Sequence, residues 1–273
     1  MKIEFKIQKH LKSCLKAEIA DLLEEGATLD QASFDVETER IHRLRVIIKH
    51  LRAHLRLLKL WPKNLIDRAR IKAWTHDLRK ASGLISAHRD LDVLIESVLQ
   101  LQSNLRSTEA VIKLKPVLHD LEREKQEFRK RRDQDFKGAI HLLQQLRSQP
   151  LIWREKRMRP KFASFTLKKS IQKARKAYDR STKTGTDKDV HNLRKRLKDL
   201  QFQLETVVKE KSCSKICRGI KNISKMIGDD RDLTHLEQLV NFEEARSPMD
   251  LDLGARRKFL RSTALKKAEA LFA

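Results

Sequence analysis

Residues 41–58 read IHRLRVIIKHLRAHLRLL. Within them His42, Arg45, Lys49, Arg52 and Arg56 recur at alternating spacings of three and four, which on an α-helix draws one cationic stripe about 21 Å long at 1.5 Å per residue. An ordinary solvated helix face mixes signs and gains from i, i+4 pairs, yet no Asp or Glu stands between 42 and 56. These residue types suit phosphate. Arg donates two parallel hydrogen bonds from a planar fork, Lys adds a mobile point charge, and His becomes a further donor and cation when a phosphate raises its pKa. A small anion would satisfy only one end of such a stripe, so a ligand carrying many negative charges is expected. A long anionic polymer gains further by releasing condensed counterions, as DNA does.

The same pattern returns in the second half. TDKDVHNLRKRLKDLQFQL echoes VETERIHRLRVIIKHLRAHL, so that His191, Arg194 and Lys198 repeat His42, Arg45 and Lys49, with Lys195 alongside. The copy fades toward its end, where Gln201 and Glu205 replace Arg52 and Arg56. Other arrangements carry less. His50 and His54 have the i, i+4 spacing of metal ligands, but no Glu follows His50 and arginines surround the pair, so no metal is expected. Cys213 and Cys217 read as a helical pair among basic or small residues. Asp90 and Asp92 diverge by about 200° on a helix, so helix capping or tethering of Arg89 explains Asp90 better than magnesium does, and Asp232 is read likewise. Trp61, Trp74 and Trp153 read as core or helix-end anchors. No Gly-rich phosphate loop, nucleophile elbow or E-x-E-x-K pattern is found, so no catalytic residue and no cofactor is expected.

These side chains need elements to hold them. Next to the cationic stripe, positions 41, 44, 48, 51, 55 and 58 are apolar, a packing seam about 100° around the same helix; Val190, Leu193, Leu197, Leu200 and Leu204 rebuild it in the second copy. Only 7 Gly and 5 Pro occur in 273 residues, and few segments alternate as half-buried strands do, so the fold is expected to be all-α. Breaks at Gly26, Pro62, Pro150, Pro160, 181–189 and Pro248 place helices near 3–24, 36–60, 64–87, 89–103, 109–147, 161–180, 187–209, 212–227, 230–245 and 252–271. Pro116 is expected to kink or restart its helix, Gly228 to mark a break, and Thr186 with Asp189 to cap the helix that follows. A second echo, Arg89-Asp90-Leu91 with Arg231-Asp232-Leu233, keeps the same order, so the chain reads as a duplicated unit: one domain of two halves, 1–150 and 151–273.

Lys and Arg number 61 against 37 Asp and Glu, a formal charge of +24, and a polyanion is the expected partner. No apolar run approaches the roughly 18 to 20 residues that span a bilayer, and the charge-punctuated start lacks a signal peptide's apolar segment. Three unevenly spaced cysteines fit a reducing compartment, so a cytoplasmic location is expected.

The ordered pairs HRLR with RDLD and HNLR with RDL make the chain resemble the CHAD, or conserved-histidine α-helical domain, family over nearly its whole length. The resemblance implies two pseudo-symmetric four-helix bundles in one compact domain with a basic central groove or pore. It also implies binding of inorganic polyphosphate and association with its granules, without catalysis. Carried over, it makes His42, Arg45, Lys49, Arg52, His191, Arg194 and Lys198 polyphosphate contacts, with Arg79, Lys221 and Lys225 of the following helices in a second tier. His50, Asp199 and Gln201 depart from the basic residues common in the family, which implies a weaker grip by the second half. Two rivals stand beside this reading: a nucleic-acid-binding helical protein, for which 5% aromatic residues offer few stacking platforms, and an enzyme acting on phosphoanhydrides or its accessory.

Overall fold

The computed structural model describes residues 11–31, 37–104, 108–153, 160–208, 210–242 and 248–272. The expected start of the first helix, 3–10, and residues 154–159 of the junction between the halves lie outside them. The described residues form helices α1 (Leu11–Ala27), α2 (Glu37–Leu58), α3 (Arg68–Asn104), α4 (Thr108–Ser148), α5 (Pro160–Thr184), α6 (Asp187–Val207), α7 (Glu210–Phe242) and α8 (Pro248–Phe272). The fold is all-α.

Packing order follows chain order. In the first half α1 packs on α2 and α4, and α3 on α2 and α4; in the second α5 packs on α6 and α8, and α7 on α6 and α8. The halves meet chiefly through α2 against α6 and α3 against α7, which brings the two stripe-bearing helices together. All six seam residues of α2, Ile41, Leu44, Ile48, Leu51, Leu55 and Leu58, are buried, as are Val190, Leu193, Leu197, Leu200 and Leu204 of α6. Each such side chain contributes about 1.5–3 kcal/mol on leaving water. Ile47, Ala53 and Leu57 are buried too, because α2 is covered on several sides by α1, α3 and α6.

The core divides by level. One cluster runs continuously through both halves, from Leu15 and Leu51 to Leu197, Ile220 and Phe272. A smaller one joins the far ends of the long hairpins, where Val98 of α3, Leu114 of α4, Leu236 of α7 and Leu253 of α8 pack together. Trp61 and Trp74 are core residues; Trp153 packs edge-on to Trp61 at 5.9 Å, beside an isolated bridge between Ile66 and Trp153.

Local signals succeed at α6. Thr186 is its N-cap, accepting from the Asp189 backbone N–H at 3.3 Å and donating to Asp189 Oδ2 at 3.1 Å, while Gly185, at φ +62°, reverses the chain after α5. They fail within α3 and α7. The expected pairs 64–87 with 89–103 and 212–227 with 230–245 are single helices, so Asp90, Gly228 and Asp232 neither break nor cap a helix. Pro116 lies inside α4, which continues past it, so the helix does not restart there. Extended packing between long hairpins outweighs one weak helix former or one lost hydrogen bond.

Candidate functional site

The contact between α2 and α6 includes a buried hydrogen bond, from Gln203 Nε2 to the Ala53 carbonyl at 2.8 Å, and a ring contact of Phe202 with His50 at 4.4 Å. This crossing places the two cationic stripes side by side. At one end His42, Arg45 and Lys49 of α2 and Arg194 of α6 line a single cleft, closed by Asp90 of α3 and by Arg231, Asp232 and His235 of α7.

The arginines of the two repeats are anchored alike on the helix that follows each. Arg45 Nη1 donates to the Ser86 carbonyl at 3.1 Å and its Nη2 meets Asp90 at 3.4 Å; Arg194 Nε donates to the Ser224 carbonyl at 2.9 Å. Gly228 makes the second arrangement possible, since a Cβ there would stand 3.0 Å from Arg194 Nη2. Neither arginine is therefore a loose surface group.

Lys49 lines the cleft with them. Desolvation, and then the charges of Arg45, Arg194 and Lys198, push its ammonium down to about 8 against the weaker pull of Asp90. Its surface remains open to water while protein atoms and cations crowd around it, as expected inside a cleft. Burial raises the carboxyl of Asp232, with Arg194 opposing. The cleft thus holds a surplus of positive charge.

The surplus continues along the crossing. Burial, then Arg194, lowers Lys198, and Lys221 adds to the effect; burial, then Arg231, Arg52 and Arg56, lowers Lys195; burial, then Arg56 and Arg79, lowers Arg52. At the far end a second pocket gathers Arg56 of α2, Lys59 just after it, Lys173 of α5 and Arg196 of α6 around Asp199. Arg56 donates to Asp199, whose other oxygen lies 3.9 Å from Arg196. Lys198 donates to Gln201 at 3.2 Å.

The expected residues are therefore not equivalent. His42, Arg45, Lys49 and Arg194 share the main cleft; Arg52, Arg79, Lys195, Lys198 and Lys221 extend its field; Arg56 belongs to the second pocket. His191 lies in a neighbouring cleft with Asp187, Asp230 and Thr234, separated from His42 by Arg231, whose Nη1 is 3.2 Å from the His191 ring. Burial, then Arg231, Lys195 and Arg194, lowers His191 to about 4, so without a ligand it is neutral at physiological pH. Lys225 lines a different pocket with Asp229 and Arg256. The sequence stripe lacks carboxylates, but the fold returns Asp90 and Asp199 to it from other segments. Asp92, in contrast, turns inward to Arg132 and Lys125, each at 3.0 Å, and shares no site with Asp90. Cys213 and Cys217 are a packed, reduced pair with sulfurs 3.3 Å apart. Lys59, Lys173, Arg196 and His235 carry no stripe or repeat signal, whereas Arg231 stood in the RDL echo.

The comparisons with known proteins agree with this architecture. The CHAD domain model matches residues 14–241, and the chain belongs to the CHAD family. Among solved structures it is similar to the crystal structure of the CHAD domain from the plant Ricinus communis, with a TM-score of 0.57 and 16% sequence identity over 96% of this chain and 91% of that one. A search of curated proteins finds no match. Among the described residues, no helix is long and apolar enough to cross a membrane.

Proposed function

We propose that this protein binds inorganic polyphosphate along the crossing of α2 and α6, as a binding protein that leaves the polymer intact. The observation that carries the reading is the cleft where cations of both repeats converge, with Lys49 crowded by Arg45, Arg194 and Lys198. Mutual repulsion of that kind is relieved by an anion with several charges at short, regular intervals. Family membership supports the same ligand class, and cytoplasmic association with polyphosphate granules goes with it.

Competition at fixed salt between labelled long-chain polyphosphate and duplex or single-stranded DNA tests the ligand. Polyphosphate is expected to displace DNA from the protein, and preference for DNA would replace this reading with nucleic-acid binding. Incubation with polyphosphate and magnesium, followed by chain-length analysis, tests the absence of catalysis; protein-dependent shortening would make the chain an enzyme.

A further inference from the structure

A separate group of side chains lies where α1, α2 and α6 meet. Glu18 of α1 and His50 and His54 of α2 each present a donor atom within 4.8 Å of the others. His50 Nε2 is 3.7 Å from Glu18 Oε1, close to the edge of about 3.3 Å that a tetrahedral ion with bonds of about 2.0 Å would require.

The hydrogen bonds select ring nitrogens that are free to coordinate. The ring of His50 bonds to the backbone of Phe202, leaving Nε2 without a hydrogen-bond partner. Thr206 Oγ1 lies 3.2 Å from the Phe202 carbonyl and 3.3 Å from His54 Nε2; with its hydrogen on the carbonyl it accepts from the ring, and His54 Nδ1 is buried and likewise unpartnered. His54 is wholly buried. A ring with one N–H held by an oxygen acceptor and the other nitrogen bare is the usual state of a metal ligand.

The helix alone supplies only two ligands amid arginines; the fold supplies the third and cancels the nearest cation. Arg43, whose charge acts on His50, is bound by Glu25, and Asp21 and Glu205 add negative charge around Glu18. We propose that Glu18, His50 and His54 bind a borderline transition-metal ion such as Zn²⁺, with water at the fourth position. The two-nitrogen, one-oxygen donor set suits that class better than magnesium or calcium. Such an ion would tie α1 to α2 beside their contact with α6.

The test is titration of the full chain with Co²⁺ in a non-coordinating buffer, read by visible absorption, and with Zn²⁺, read by thermal midpoint. One ion per chain is expected, with the band intensity of four-coordinate cobalt and a rise in midpoint on adding Zn²⁺. His50→Gln and Glu18→Gln should each weaken binding at least tenfold, while His119→Gln, at an exposed position, should not. Glu18 is only partly buried, so its variant serves should His50→Gln fail to fold. Absence of saturable one-to-one binding, or full affinity in a folded Glu18→Gln protein, would overturn the site.

Discussion

In the proposed binding mode, crowding around Lys49 should make polyphosphate affinity depend on pH in a defined window. Desolvation first, then Arg45, Arg194 and Lys198, hold its ammonium near 8 in the free protein. Phosphate oxygens in the cleft would return it toward its ordinary 10.5, so above pH 8 binding takes up a proton. The sign follows. Where the pKa is higher in the complex than in the free protein, affinity is full below the free value and falls as pH rises through it. For a shift from about 8 to about 10.5, linkage gives roughly a tenfold loss between pH 7 and pH 9. Because Lys49 keeps exposed surface and part of its shift comes from screened charges, tenfold is the low-salt limit. Fluorescence anisotropy of labelled polyphosphate at constant ionic strength measures it, since internal phosphates stay ionised throughout. Lys49→Arg should flatten the profile while preserving affinity near pH 7; Lys49→Gln should be weaker and flat. A wild-type affinity unchanged from pH 7 to 9, or a Lys49→Arg profile as steep as wild type, would refute the reasoning.

Gly228→Ala should dislodge the Arg194 guanidinium, which lies 3.0 Å from the added methyl position, and lower affinity several-fold with helicity by circular dichroism unchanged; combined with Arg194→Gln it should add little. Asp199→Asn should release Arg56 and Arg196 and tighten binding several-fold in the same titration, whereas a loss would place Arg56 outside the binding path. Salt dependence should be steep: with four to six cations engaged, and the coefficient for a single-stranded nucleic acid, log K should fall with a slope of about −3 to −4 against log salt concentration. A slope shallower than about −1 would mean that the cationic stripe is not the binding surface.

What the sequence discloses here is what repeats at short range. The stripe of α2 is legible because two periodic patterns, apolar and cationic, run over the same helix; the apolar one is buried throughout, and His42, Arg45 and Lys49 of the cationic one line one cleft. The cap of α6 is legible because Thr186 and Asp189 are three residues apart and settle the matter between themselves. The apparent breaks in α3 and α7 mislead for the opposite reason. Gly228 has a long-range purpose, the approach of Arg194, and Asp90 serves Arg45, so their local preferences are overridden by partners 34 and 45 residues away. Glu18 is the extreme case. Nothing near it in the chain suggests His50, and only the packing of α1 on α2 creates the group.

The two echoed segments also differ in a way that one helix read alone conceals. In α2 the stripe continues through Arg52 and Arg56, whereas in α6 the corresponding stretch contributes Asp199, which binds Arg56 of the other copy, and Gln201, which accepts from Lys198. At the α5 end of the crossing Asp199 is the one carboxylate lining the pocket with Arg56, Lys59, Lys173 and Arg196, and burial raises it. At the opposite end Arg45, Lys49, Arg194 and Arg231 face two carboxylates, one of them biased toward its neutral form by burial. In the proposed binding mode both ends leave cations for a polyanion; Arg56 is already held by Asp199, whereas Lys49 is crowded by Arg45, Arg194 and Lys198, so the cleft around Lys49 should hold the polymer first and the pocket around Arg56 should add reach. The Lys49 and Asp199 variants separate these contributions: short polyphosphates should respond to Lys49 alone, and only chains long enough to cover both ends should respond to Asp199→Asn.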